Sequence, residues 1–349
     1  MSAIPKTMRA VGLNAHLPLE DPSSLLDLTV DVPTVSGHDL LVQVKAVSVN
    51  PVDYKIRANG GKLNGPKILG YDAAGVVVAV GSDVSLFKVG DEVYYAGTWT
   101  RQGTNSEYHA VDERIVGHKP KSLSFTDAAA LPLTALTAYE ALFHRLQVPQ
   151  KSATPTSSKK SVLIFNGAGG VGSIVIQLIK QLTDLTVIAS ASRPESSAWV
   201  TELGADHVVN HTGDVPAQLK SFGFPQVDYI LVFTELGPHF ESIVEVIKPQ
   251  GKICAITSNA EDLPFQKLFY KSVTFIWELM FTRPIYTTED IVEQHNILNH
   301  VSKLVDAKTL RTTLGEELGT INAANLKKAH AALEAGRAVG KLVLTGFEA

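Results

Sequence analysis

Cysteine is almost absent: Cys254 is the single thiol in 349 residues. One thiol closes no disulfide framework and builds no cysteine-rich zinc knuckle, so a reducing compartment is expected. There is also no surplus of positive charge. A formal net charge of −4 offers no basic field to a phosphate backbone, and nucleic acid is excluded as the expected partner. Long apolar runs are missing too. Stretches such as "AAGVVVAV" extend about 8 residues, against the roughly 18 that a membrane helix needs. The start "MSAIPKTMRAVG" lacks the unbroken apolar core of a signal peptide. The expectation is a soluble cytoplasmic protein with no membrane partner.

What the chain does contain is core-forming material, 45% hydrophobic against 19% charged residues, the balance of a globular protein. Its length calls for two domains of roughly 100–200 residues. Up to about residue 125, short β-branched runs such as "LLVQVKAVSVN", "DAAGVVVAVG", "GDEVYYAG" and "SEYHAVDERIVGH" alternate with Gly, Asn and Asp turns, predicting a β-rich module. "SFTDAAALPLTALTAYEALFHRL" then has helical spacing, with Ser124 or Thr126 as its cap. The polar stretch 149–160 reads as an exposed loop. From 161 to 280, strands alternate with helices, the rhythm of βαβ units in a parallel sheet. The run "SVTFIWELM" predicts a last strand, "TTEDIVEQHNILNHVSKLVD" a long amphipathic helix, and "GKLVLTG" a final strand.

The most specific motif is "LIFNGAGGVGS", where Gly167, Gly169 and Gly172 have G-x-G-x-x-G spacing between a strand and a helix. Gly167 permits the tight turn, Gly169 lets backbone approach a pyrophosphate, and Gly172 lets the helix pack on the strand. With Ala168, Gly170 and Val171, they form a cradle whose helix N-terminus offers N–H groups and a positive dipole end to phosphates. NAD-binding folds place an acid about 20 residues further on, at the ribose 2′-OH. Here the segment reads "IASASRPES", with Ser192 and Arg193 in that place. A guanidinium suits a 2′-phosphate, which points to NADPH. The alternative is that Arg193 only starts a helix over solvent.

With "GYDAAGVVVAVGSDVSLFKVGDEV", "GAGGVG" and "AHAALEAGRAVGKLVL" in this order, the chain resembles the medium-chain dehydrogenase/reductase superfamily over essentially its whole length. "SVNPVDYKIR" and "FIWELMFTR" are similar to its quinone-oxidoreductase-like branch, often labelled zinc-type alcohol dehydrogenase-like. The resemblance implies an α/β protein: a GroES-like β-rich catalytic domain plus a Rossmann doubly wound parallel-sheet cofactor domain. The segments implied are 1–128 for the first part of the catalytic domain, 129–282 for the Rossmann domain, and 283–349 returning to the catalytic domain.

Zinc-dependent members of the superfamily place a Cys where this chain has Asn50, and a Gly-His-Glu where it has Gly70-Tyr71-Asp72. A phenol and an amide are poor zinc ligands, and no structural-zinc cysteines follow "GDEVYYAG", so no metal is expected. Without a Lewis acid, hydride delivery to a quinone, enone or reactive carbonyl is easier than oxidation of a plain alcohol. A hydrogen-bond donor would stabilise the developing oxyanion. The candidates are Asn50 as a polar positioner, Tyr54 or Lys55 as donor, and Tyr71 on the active-site wall. Asp53 reads as a turn or wall residue, and Asp72 as an anchor for a neighbouring loop, with Arg57 as a possible basic partner.

Other positions follow from the resemblance as cofactor contacts. They are Thr137, His211, Phe233 and Thr234, with Ser258 and Lys341 as further candidates. For Lys341 the alternative is a solvent-facing strand residue. The stripe Trp277, Glu278 and Met280 reads as core or subunit contact, because in this superfamily the last Rossmann strand often pairs across a dimer axis; a homodimer is therefore expected. Two other classes of function stay open from sequence alone: a non-catalytic NADPH-binding sensor or structural protein, and a zinc alcohol dehydrogenase with unusual ligands.

Overall fold

The structure is a computed structural model that describes residues 4–151, 160–258 and 262–347. The chain divides into two units. One runs to Leu136 and resumes at Phe281; the other is Thr137–Met280. The first boundary therefore falls beyond the expected 128/129. Residues 152–159, most of the predicted loop, lie outside the described residues. Among the described residues no helix is long and apolar enough to cross a membrane.

The first unit holds a seven-stranded sheet. Its spine is Asp39–Val49, which pairs antiparallel with Ala73–Val80, Tyr108–Asp112 and Lys341–Thr345. The alternation of Val and Leu along the spine turns Leu40, Val42, Val44 and Val47 into one apolar cluster with Val77, Val93, Val111 and Leu342. A residue late in the chain thus enters the same sheet as residues near its start. The predicted strand "SEYHAVDERIVGH" is two strands, Tyr108–Asp112 and Val116–His118, separated by a single 3-10 turn at Glu113–Ile115. Asp112 causes the break, since its side chain accepts the Arg114 N–H and caps that turn.

The second unit holds six parallel strands. Across the sheet they run His207–Val209, Thr186–Ser190, Ser161–Phe165, Val227–Val232, Ile247–Ala255 and Thr274–Trp277. Numbered by chain position this is the 3-2-1-4-5-6 order of a doubly wound dinucleotide fold, with its switch point between the first and fourth strands. Its own core includes Leu163, Phe165, Ile188, Ile230 and Ile253.

Several predicted elements are shorter or broken. The helix expected after Ser124 does begin there, with Ser124 Oγ accepting the Asp127 N–H. It stops at Ala129 and restarts at Pro132, because proline cannot donate the N–H that a continuous helix requires. It ends in a π-helical segment, Glu140–Arg145. The last parallel strand covers only Thr274–Trp277, and the long helix only Glu293–Asp306.

Candidate active site and cofactor cradle

In the first unit, the helix Pro51–Ala58 begins with proline at its first turn, and Asn50 precedes it in extended backbone. Asp53 turns back on this start: its Oδ2 accepts the Asn50 N–H at 2.6 Å, and its Oδ1 accepts the Gly70 N–H at 3.0 Å. One carboxylate thus ties the helix to the turn that presents Tyr71 and Asp72. Gly70 has φ of 104°, and an added Cβ would lie 2.5 Å from Asn105 Oδ1, so a side chain is excluded on both counts.

Asp72 is the hub of a second set of bonds. Its Oδ2 accepts Asn50 Nδ2 at 2.7 Å and the Lys341 ammonium at 2.9 Å, and its Oδ1 accepts the Leu133 N–H at 2.7 Å. The same ammonium donates to Asn50 Oδ1. Asn50, Asp53, Asp72 and Lys341 are all buried. The expected pairing of Asp72 with Arg57 does not occur. Arg57 reaches Glu334 instead, because it points from the helix Pro51–Ala58 toward the helix Ala323–Glu334. Nor does Lys341 face solvent; it is buried at the start of its strand.

Burial pushes the Asp53 carboxyl up to about 7, against the pull of the Asn50 N–H and the Lys341 charge. Burial also raises Asp72, opposed chiefly by Lys341. Tyr71 is raised by burial and then by the charge of Asp53. Its hydroxyl is buried and has no hydrogen-bond partner among the described residues, a state that costs about 1–3 kcal/mol for a polar group. The ring packs edge-on to Phe281 at 5.5 Å, and Phe281 lies 4.7 Å from Trp99. Sequence reasoning missed this aromatic wall, since the three rings are far apart in the chain. Of the two alternative donors, Tyr54 is half-buried and Lys55 is exposed.

These residues do not fit a zinc ion. Both oxygens of each carboxylate already accept N–H donors, and an ammonium sits on Asn50 and Asp72. Tetrahedral zinc needs open thiolate, imidazole or carboxylate ligands. Among the described residues no group of three His, Cys, Asp or Glu side chains is placed to hold a metal.

In the second unit, the glycine-rich turn has the form that a dinucleotide requires. Asn166 takes φ of 62° and ties the turn across the sheet, its N–H to Ser190 Oγ and its Nδ2 to the Phe233 carbonyl. A Cβ on Gly172 would lie 2.4 Å from the Asn166 and Gly167 carbonyl oxygens, so only glycine lets the helix Gly170–Leu182 approach the strand. Gly169 precedes that helix and no side chain caps it, which leaves its N-terminus for phosphate oxygens. A nicotinamide dinucleotide fits here, with Gly167, Ala168, Gly169, Gly170, Val171 and Gly172 as the cradle.

The remaining expected contacts fall at the carboxyl ends of the parallel strands. Ser192 and Arg193 follow Thr186–Ser190, His211 follows His207–Val209, Phe233 and Thr234 follow Val227–Val232, and Ser258 follows Ile247–Ala255. Ligands of open α/β sheets bind at this edge. His211 is lowered by burial and then by the charge of Arg193, which places these two side chains as electrostatic neighbours. Thr137 opens this unit and is buried. Lys341 alone among these candidates belongs to the first unit. The stripe Trp277, Glu278 and Met280 divides: Trp277 is exposed, whereas Glu278 is buried and accepts Arg145 Nε at 2.6 Å, and Met280 is buried.

Comparison with known proteins agrees with both halves. Residues 36–124 match the alcohol dehydrogenase GroES-like domain and residues 203–344 the zinc-binding dehydrogenase family. The chain is an oxidoreductase of the medium-chain dehydrogenase/reductase superfamily, with the fold of a GroES-like domain and a Rossmann domain. Within it, the chain is 40% identical over 337 residues to a zinc-type alcohol dehydrogenase-like protein of Staphylococcus aureus (strain MSSA476), covering 97% of this chain and 99% of that one. It is 38% identical over 241 residues to the NADPH-dependent alkenal/one oxidoreductase, chloroplastic, of Arabidopsis thaliana, covering 66% of this chain and 58% of the relative. Among solved structures, an alcohol dehydrogenase of assumed zinc dependence from Rhizobium etli CFN 42 superimposes with a TM-score of 0.93 at 50% identity, covering 98% of this chain and 99% of that one. The quinone oxidoreductase of Coxiella burnetii gives 0.79 at 28% identity, covering 97% and 99%.

Proposed function

We propose that the protein is a zinc-independent reductase that uses NADPH to reduce quinones, enones or related reactive carbonyls. One observation carries this reading: an internal ammonium, Lys341, occupies the polar cluster at Asn50 and Asp72, while the buried hydroxyl of Tyr71, the residue before Asp72, is left without a partner among the described residues. The cluster offers no open ligand set to activate an alcohol. It does offer a donor for an oxygen on which charge develops. When bound, the dinucleotide would supply the hydride. Tyr71 is assigned to donate to the acceptor oxygen, and Asn50, whose amide is held from both ends, to fix the surrounding wall. Tyr54 and Lys55 are the alternative donors. The Arabidopsis and Coxiella relatives, whose names state alkenal/one and quinone acceptors, support the substrate class.

Arg193, with Ser192 and His211 near it, is assigned to the 2′-phosphate. Thr137, Phe233, Thr234 and Ser258 are assigned to the nicotinamide half. Lys341 is reassigned from direct cofactor contact to the internal cluster. Arg193→Ala is expected to weaken NADPH binding by at least about tenfold, since a charge-assisted bond to phosphate is lost, and to leave NADH binding nearly unchanged. Thr274–Trp277 ends the sheet with one neighbour, which supports pairing of two copies along that edge. Sedimentation at catalytic concentration tests this, and a monomer would reject it.

The function is tested by following NADPH absorbance with a panel of quinones and enals. Turnover in metal-free protein is expected. Tight NADPH binding with no oxidation by any acceptor would overturn the reading and favour a non-catalytic binding protein.

A further inference from the structure

The charges in the buried cluster do not balance. Asp53 and Asp72 contribute two carboxylates, and among the described residues Lys341 contributes the only cation bonded to either. The other partners are neutral: the Asn50 amide and the N–H groups of Asn50, Gly70 and Leu133. If both acids were ionised, one uncompensated negative charge would remain in a site from which water is excluded. Burial of such a charge is strongly disfavoured, and the group protonates instead. The two acids are not equivalent. Asp72 has the ammonium, the Asn50 amide and the Leu133 N–H, whereas Asp53 has two backbone N–H groups. The better-stabilised carboxylate is Asp72, so the surplus proton belongs on Asp53.

We propose that the Asp53–Asp72 pair, sharing the ammonium of Lys341, holds one proton on Asp53, so that the candidate donor Tyr71 works near a neutral rather than an anionic carboxyl. The role in catalysis rests on the reductase reading above; the held proton does not. Asp53 is bonded to the N–H of Gly70, the residue before Tyr71, and its charge acts directly on the Tyr71 phenol. Arrival of a hydride at the acceptor carbon leaves an electron pair on the acceptor oxygen. The Tyr71 hydroxyl donates a hydrogen bond to that oxygen, and solvent supplies the proton that completes the reduction. A neutral Asp53 leaves this donor effective, whereas an Asp53 carboxylate would set a second negative charge against the developing oxyanion. Asp53 never touches the acceptor; it is a positioning residue.

The groups facing Asp53 are Asp72 and Lys341, the N–H donors of Asn50 and Gly70, and the Tyr71 phenol. Because they are few, the titration is interpretable. In protein labelled at the aspartate carboxyl carbons, without cofactor or acceptor, one carboxyl NMR signal is expected to titrate near neutrality. It should vanish in Asp53→Asn, and its midpoint should rise in Lys341→Met as the opposing cation is lost. If Asp53→Asn fails to fold, the wild-type titration and Lys341→Met still decide. No aspartate titrating above the ordinary carboxylate range would overturn the proposal, as would a signal that Asp72→Asn removes or that Lys341→Met leaves unmoved. The catalytic part is read separately, from the pH profile of single-turnover NADPH oxidation. The rate should fall as pH rises through the Asp53 midpoint, and Asp53→Asn should keep its rate above that midpoint; a wild-type profile flat through the midpoint would reject the catalytic role. Absence of any turnover would instead fault the reductase reading and leave the held proton standing.

Discussion

Lys341 and Asp72, 269 residues apart in sequence, meet as a buried ion pair with Nζ 2.9 Å from Oδ2. Both belong to the seven-stranded sheet region of the first unit, where Lys341 opens a strand that pairs with Asp39–Val49 and Asp72 directly precedes Ala73–Val80.

Removing one member of such a pair leaves the other charge buried. Lys341→Met is therefore expected to destabilise the protein by about 3–5 kcal/mol. Combining it with Asp72→Asn should recover part of that loss. Urea unfolding of the wild type, both single variants and the double variant measures the coupling; strictly additive losses would refute it.

Tyr71→Phe separates catalysis from stability. The hydroxyl has no partner among the described residues, so its removal should leave the melting temperature unchanged or higher. If the same hydroxyl stabilises the acceptor oxyanion, kcat should fall by about 10²–10³. A variant with full kcat would move the donor role to Tyr54 or Lys55.

Gly172→Ala places a Cβ within 2.4 Å of two backbone oxygens of the turn. Helix and strand must then separate, at a cost of about 1–3 kcal/mol, as for other overpacked sites. Dinucleotide affinity should fall with it, which fluorescence titration of the bound nicotinamide would report.

His109 makes acid stability pH-dependent in a defined direction. Its Nε2 lies 2.9 Å from the Gln102 carbonyl and its Nδ1 3.2 Å from the Tyr95 hydroxyl, which satisfies both nitrogens of the neutral ring. Burial lowers it to about 4, whereas an unfolded histidine titrates near 6.5. The unfolded chain therefore binds the extra proton in this window. Stability from His109 is complete above about 6.5 and is lost as pH falls toward about 4. Asp53, raised to about 7, acts in the opposite sense, losing stability as pH rises toward that value. In unfolding free energies across this range, His109→Gln should lose less stability toward acid than the wild type, and Asp53→Asn should lose more.

The parts of the site legible in sequence are those set by local geometry. The glycine spacing, its strand and helix flanks, and the Ser124 cap depend on residues a few positions apart, where backbone sterics and nearby N–H groups decide the outcome. The partner of Asp72 was not legible in that way. Arg57 is much nearer in sequence than Lys341, but a helical residue is aimed by its helix, and this one is aimed at Glu334. The aromatic contact of Tyr71 with Phe281, and the latter's with Trp99, likewise join remote segments. Breaks within elements were missed where one side chain overrode the pattern, as with Asp112 at its 3-10 turn and Pro132 at the start of the second helix.

The placement of Lys341 has a consequence during synthesis of the chain. Asp72 emerges early, and the whole of the second unit follows before the lysine that pairs with it is made. Until then Asp72 and the half-built sheet of the first unit lack that counterion. The cluster can close only after the ribosome has passed the intervening second unit, so the polar contacts around Asp72 are among the last features of the first unit to form.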